Sequence, residues 1–200
     1  MISIRQLFIA CCLFMTGSSL TNAQTDFRQR QLTMDDGLPS NSVRILMQDQ
    51  RGFLWMGTDN GLCRYDGSVA SSFEMPGKAG QQVTALLSDS RDQLFVGTST
   101  GVFSFSLINE QLEELPLELS KPVTHLAKDQ DNNLWISTRG QGLICYQPAD
   151  DERESMKTYL MRDCGGMVNQ VYVDASNQIW ALCNQGSGGL WQLNKTNNTF

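Results

Sequence analysis

Histidine is almost missing from this chain: of its 200 residues only His125 carries an imidazole. That shortage removes most catalytic triads and most metal clusters, which depend on imidazole as base or ligand more often than not. Clustered Lys and Arg are missing as well. With 15 basic residues against 21 acidic ones and a net charge of −6, nothing offers the concentrated positive charge that a nucleic-acid backbone requires. Long apolar runs are lacking too. The one over residues 7–15 falls well short of the ~20 residues of a membrane-spanning helix. Cysteine is sparse and unpatterned: Cys63, Cys145, Cys164 and Cys183 match no metal spacing. They allow about three pairings, and they read equally well as single thiols buried as small apolar residues, so no disulfide framework is expected.

What is present begins with an export signal. Arg5, the apolar run, Ser18, Ser19 and the small-residue pattern Thr21, Asn22, Ala23 describe a signal peptide over residues 1–23, cleaved before Gln24. A lipoprotein site at Cys11 would leave too few apolar residues ahead of it. The mature chain is therefore expected in the periplasm, and Cys11 and Cys12 leave with the signal. Its 40% apolar and 18% charged content is that of an ordinary globular protein.

The chain repeats itself. Val43, Val83, Val123 and Val168 each open an apolar segment; Asp49, Asp89, Asp129 and Asp174 each end it; Trp55, Phe95, Trp135 and Trp180 follow six residues later. In all three series the steps are 40, 40 and 45 residues. A shared period of this size is the mark of a repeat architecture.

Each unit has one internal logic. In the first, Val43, Ile45 and Met47 alternate with Arg44 and Gln48, which predicts a strand; Leu46 breaks the polar series and predicts burial on both faces. Asp49 then opens a tight turn whose fourth place is Gly52, Asp92, Asn132 or Asn177, residue types that tolerate positive φ. A returning strand carries the aromatic residue, with Gly57 and Gly97 two places after it. A second turn follows at Gly61, Gly101, Gly142 and Gly189, then a third strand. Weaker fourth strands are predicted around 72–75, 111–115 and 157–161. The fold class is all-β: propeller blades of four antiparallel strands, near residues 41–77, 82–117, 122–161 and 167–200, the last incomplete. A β-sandwich also spaces short strands evenly, but it has no reason to repeat Asp, turn, aromatic and Gly at fixed offsets.

The string Asp36, Gly37, Leu38, Pro39, Ser40, Asn41, Ser42, Val43, with the Asp49 turn, residues 54–58, Asn60 to Leu62 and Tyr65 to Gly67, resembles the two-component regulator propeller repeat. Unit two departs from it with Phe95 in place of Trp, and unit four with Ala181 and Cys183 in place of Gly and Thr. The resemblance implies the periplasmic sensing region of a hybrid histidine kinase or diguanylate cyclase, whose propeller docks a small ligand, often an oligosaccharide, in its mouth or between the protomers of a homodimer. Such propellers have about seven blades, so the resemblance also implies an amino-terminal piece, with further blades and a membrane-spanning signalling module beyond residue 200. It names no ligand-binding residue, no metal and no cofactor.

Little else points to chemistry. His125 lies in an inner strand with no Ser or Asp placed around it by a known motif, and reads as a packed residue. The four aspartates recur once per unit at a turn, which argues for a structural role over paired-carboxylate catalysis. Gly186, Gly188 and Gly189 join two strands and lack the helix and Gly-Lys pair of a phosphate loop. The acidic run Asp150, Asp151, Glu152, Glu154 reads as a solvated loop. No catalytic residue is expected. Besides the sensor, the alternatives are a periplasmic propeller enzyme acting on polysaccharide and a plain binding scaffold.

Overall fold

The computed structural model describes residues 29–77, 81–89, 92–148 and 155–194. The expected signal peptide, the acidic run 150–154 and the region of the missing fourth strand at 195–200 lie outside them. Every element below belongs to the unit Leu32–Phe200.

Four sheets follow one another along the chain, each an antiparallel meander. The first contains β1 (Val43–Gln48), β2 (Leu54–Thr58), β3 (Gly61–Tyr65) and β4 (Ala70–Phe73); the second, β5 (Val83–Ser88), β6 (Gln93–Thr98), β7 (Val102–Ser106) and β8 (Leu112–Glu114). The third contains β9 (Val123–Lys128), β10 (Leu134–Thr138), β11 (Leu143–Gln147) and β12 (Ser155–Tyr159). The fourth has three strands among the described residues, β13 (Gln170–Val173), β14 (Ile179–Cys183) and β15 (Gly189–Gln192). The leading strands β1, β5, β9 and β13 stand next to one another in order. These are propeller blades.

The core lies between successive sheets, not inside any one of them. Ile45, Met47 and Trp55 of blade one meet Val83, Leu86 and Val96 of blade two. Phe95 and Ala85 meet Leu126, Ile136 and Ile144 of blade three, and Trp135 and Ala127 meet Val171, Ile179 and Ala181 of blade four. Strands β6 and β10, with a blade on each side, are therefore buried on both faces, and each carries an almost unbroken apolar run.

Close approach between blades explains the repeated glycine. A Cβ on Gly57 would lie 2.5 Å from Val83, and one on Gly97 would lie 2.6 Å from Val123, so the missing side chain lets the next blade's opening valine seat against the sheet. Hydrogen bonds add to this join. The Thr84 hydroxyl donates to the Val123 carbonyl at 2.7 Å, and Thr124 does the same to Val168 at 2.5 Å.

Several expectations change. Leu46 is 61% exposed: its counterparts Leu86 and Leu126 are covered by a preceding blade, whereas among the described residues the same face of blade one is met at Met56 and Cys63 by Leu38 and Leu32. Strands β4 and β12 each begin two residues earlier than predicted, because edge strands carry the weakest apolar pattern. In blade four Leu182 pairs with Gln170 as Gly57 pairs with Ile45, so Leu182, not Ala181, stands at the glycine position.

Candidate functional site

The repeated Asp is a brace for its own blade. Asp49 Oδ1 accepts the backbone N–H groups of Arg51 and Phe53 at 2.9 and 3.0 Å, and its Oδ2 accepts the indole N–H of Trp55 at 2.8 Å. Asp129 does the same with Asp131, Asn133 and Trp135, and Asp174 with Ser176, Gln178 and Trp180. The six-residue interval is thus the reach from a turn carboxylate to an indole on the returning strand. The turn completes itself at positive φ, at Gly52 (89°), Asp92 (55°), Asn132 (64°) and Asn177 (59°). A carboxylate whose two oxygens already accept three donors is a poor general acid, base or nucleophile.

Blade two solves the same problem differently. Phe95 has no N–H to give, and Asp89 Oδ2 instead accepts from Lys128 Nζ of blade three at 2.7 Å. The ammonium also sits 5.3 Å from the centre of the Phe95 ring. Reasoning from the sequence missed Lys128. The signal that could have found it was the loss of a donor at Phe95, which obliges a buried carboxylate to find another.

At the other end of each sheet, Thr58, Thr98 and Thr138 fold the second turn: their hydroxyls donate to the carbonyls of Gly61, Gly101 and Gly142. Gly142 has φ +85° and lies so near the Tyr159 carbonyl that no Cβ fits. In blade four Cys183 takes the threonine's place and is joined in a disulfide to Cys164, beside the 3-10 turn Arg162–Cys164; Gly189 follows at φ +102°. That disulfide overturns the expectation of single buried thiols for this pair, since the pairing depends on a turn that folds back from 19 residues away. Cys63 and Cys145 are free and buried, and burial foremost pushes the Cys145 thiol up to about 12.

His125 is held between blades, its ring hydrogen bonded to the Val171 carbonyl, with burial as the larger influence lowering its pKa. Among the described residues its buried Nδ1 meets no hydrogen-bond partner. In the Gly186 to Gly189 loop, Ser187 is tied through N and Oγ to the Asp163 carbonyl, a strand connection with no phosphate cradle. Among the described residues no group of His, Cys, Asp and Glu could hold a metal ion, and no helix is long and apolar enough to cross a membrane.

This geometry coincides with a known repeat. Residues 37–60 and 118–140 match the family described as two component regulator propeller. These are regulator propeller repeats. The fold is shared with the extracellular domain of BT4673 from B. thetaiotaomicron, a putative one component system (20% identity, TM-score 0.68, 81% of this chain and 22% of that one). It is shared too with the extracellular domain of the putative hybrid two component system BT3049 from the same organism (24% identity, TM-score 0.62, 80% and 22%). The virginiamycin B lyase from Staphylococcus aureus, solved as a catalytically inactive form with quinupristin, is also similar (12% identity, TM-score 0.62, 76% and 55%). The chain thus spans 22% of the length of each B. thetaiotaomicron domain. No protein with a curated description matches it.

Proposed function

We propose that this chain is the ligand-sensing propeller region of an exported bacterial signal-transduction protein, a two-component sensor or a diguanylate cyclase. The observation that carries the reading is the regulator propeller match over residues 37–60 and 118–140, on a fold shared with extracellular domains of putative two-component systems. The signal peptide pattern over 1–23 supports a periplasmic location. Blades braced by their own aspartates hold loops rigidly, and a ligand that binds one arrangement of those loops better than another shifts the population toward it. The parent protein would carry a membrane-spanning output module to read that shift.

The likeness to a lyase keeps a propeller enzyme as the second reading. Weighing against it, each described repeat aspartate is engaged by backbone, indole or ammonium donors.

The test is thermal melting of the purified full chain with pools of oligosaccharides cut from plant and host polysaccharides. A ligand at about 100 times its Kd stabilises by about 2.7 kcal/mol, so the sensor reading expects a raised midpoint with at least one pool and the ligand recovered uncut. Shortened products would favour the enzyme. No shift with any pool would contradict the reading.

A further inference from the structure

His125 stands at a place in the leading strand that blades one and two fill with apolar side chains. In the strand registers it lies opposite Ser137, as Ile45 lies opposite Gly57 and Ala85 opposite Gly97. Ile45 packs into the joint between blades one and two and Ala85 into that between blades two and three. At the joint between blades three and four the same place holds an imidazole, and it is the only one in the chain. The one histidine, whose ordinary pKa of about 6.5 makes it the natural proton switch of the chain, is thus built into a contact between two blades.

Hydrogen bonds cross that joint on both sides of the ring. Thr124 Oγ1 donates to the Val168 carbonyl and the Val168 N–H to the Thr138 carbonyl, while nearer the turns the Gln130 N–H donates to Asn177 Oδ1 and Gln130 Nε2 to the Ala175 carbonyl. Between them the His125 ring donates to the Val171 carbonyl, and its buried Nδ1 meets no partner among the described residues. Charge is scarce here. Strands β5, β6, β10 and β13 pack against β9, and none of the four contains Asp, Glu, Lys or Arg. The one phenol among them, Tyr172, is uncharged at neutral and mildly acid pH. Strand β9 itself brings Lys128, already paired with Asp89. At the turn end Asp129 and Asp174 accept the N–H groups of their own blades, and Cys183 is held in the disulfide. A proton on His125 therefore places a partly buried charge where the surrounding strands offer no carboxylate, and adds a second N–H where the described residues offer no acceptor. Both are costly, and separating the blades relieves both by returning the ring to water.

From this we infer that the joint between blades three and four is an acid-opened seam: a proton taken up by His125 separates these two blades locally while blades one and two stay folded. The direction follows from linkage. Burial holds the ring of the closed joint below its ordinary value, so the open joint binds the proton more tightly, and its population rises as pH falls from about 6.5 toward the lowered value. The seam stands on residues of this chain alone, so it does not depend on the signalling reading, and its failure leaves that reading intact.

The experiment is residue-resolved hydrogen exchange of the purified full chain, followed by NMR from about pH 7 to about pH 5 and corrected for the intrinsic effect of pH on exchange. The amides of Gln130 and Val168 donate across the seam, whereas those of Asp49 and Asp89 donate within blades one and two. The expected result is that opening at Gln130 and Val168 grows by up to about tenfold for each unit of pH lowered, with Asp49 and Asp89 unchanged. His125→Ile, which restores the residue of blade one, and His125→Gln should each abolish the growth. If neither variant folds, the contrast between the two pairs of amides in the unmodified protein decides alone. No growth at Gln130 and Val168, equal growth at all four amides, or growth that persists in a folded variant would each overturn the proposal.

Discussion

Lys128 Nζ of blade three lies 2.7 Å from Asp89 Oδ2 of blade two, with side chains only 16% and 6% exposed. A donor from the neighbouring blade thus replaces the indole that Phe95 does not supply, and a brace internal to a blade becomes a tie between two.

Removing that donor should be costly. Lys128→Ala leaves a buried carboxylate short of a partner, a change worth about 3 to 5 kcal/mol, read as a lowered denaturant midpoint. Adding Phe95→Trp to Lys128→Ala should recover part of the loss by returning an indole N–H to Asp89. A Lys128→Ala midpoint equal to that of the unmodified protein would show the pair contributes nothing.

The braces of blades one and three differ in redundancy. Asp129 Oδ2 also accepts from Asn133 Nδ2 at 2.8 Å, whereas among the described residues the corresponding oxygen of Asp49 has only the Trp55 indole. Trp55→Phe should therefore destabilise by about 1 kcal/mol more than Trp135→Phe, and Trp135→Ala, which also opens a cavity, by about 3 to 5 kcal/mol. Equilibrium unfolding of the three variants checks the order.

Cys164 and Cys183 should appear as one cross-linked peptide pair in a non-reducing digest, with Cys63 and Cys145 alkylated only after unfolding. Closing a loop of this length contributes about 3 kcal/mol, so reduction should lower the melting midpoint. Four thiols reactive in the native protein would refute the pairing.

His125 gives stability a pH dependence. Burial lowers its folded pKa below the ordinary value of about 6.5, so between the two values the unfolded chain binds the extra proton. Its contribution is complete above about pH 6.5 and is lost as pH falls toward the lowered value. His125→Gln should flatten the melting midpoint over that interval, and an unchanged slope would remove His125 from the account.

How much of this was legible depends on distance along the chain. The Asp49 turn, Gly52 and Trp55 fall within one short segment, so the brace leaves a local signature that repeats and reveals the blades. Lys128 reaches Asp89 across 39 residues, and Cys183 meets Cys164 only once the second turn of blade four is folded; neither leaves a local trace. Leu46 reads as buried from its own strand, yet burial there depends on a neighbouring sheet.

The central claim is that the repeated aspartates brace the turn and the indole of their own blades, and the indole N–H resonances of an isotope-labelled full chain test it most directly. The signals of Trp55, Trp135 and Trp180 should be protected from solvent exchange, and Asp49→Asn, Asp129→Asn or Asp174→Asn should each perturb the indole of its own blade and leave the other two in place. Indoles that exchange as freely as exposed ones, or that ignore the substitution of their aspartate, would contradict it.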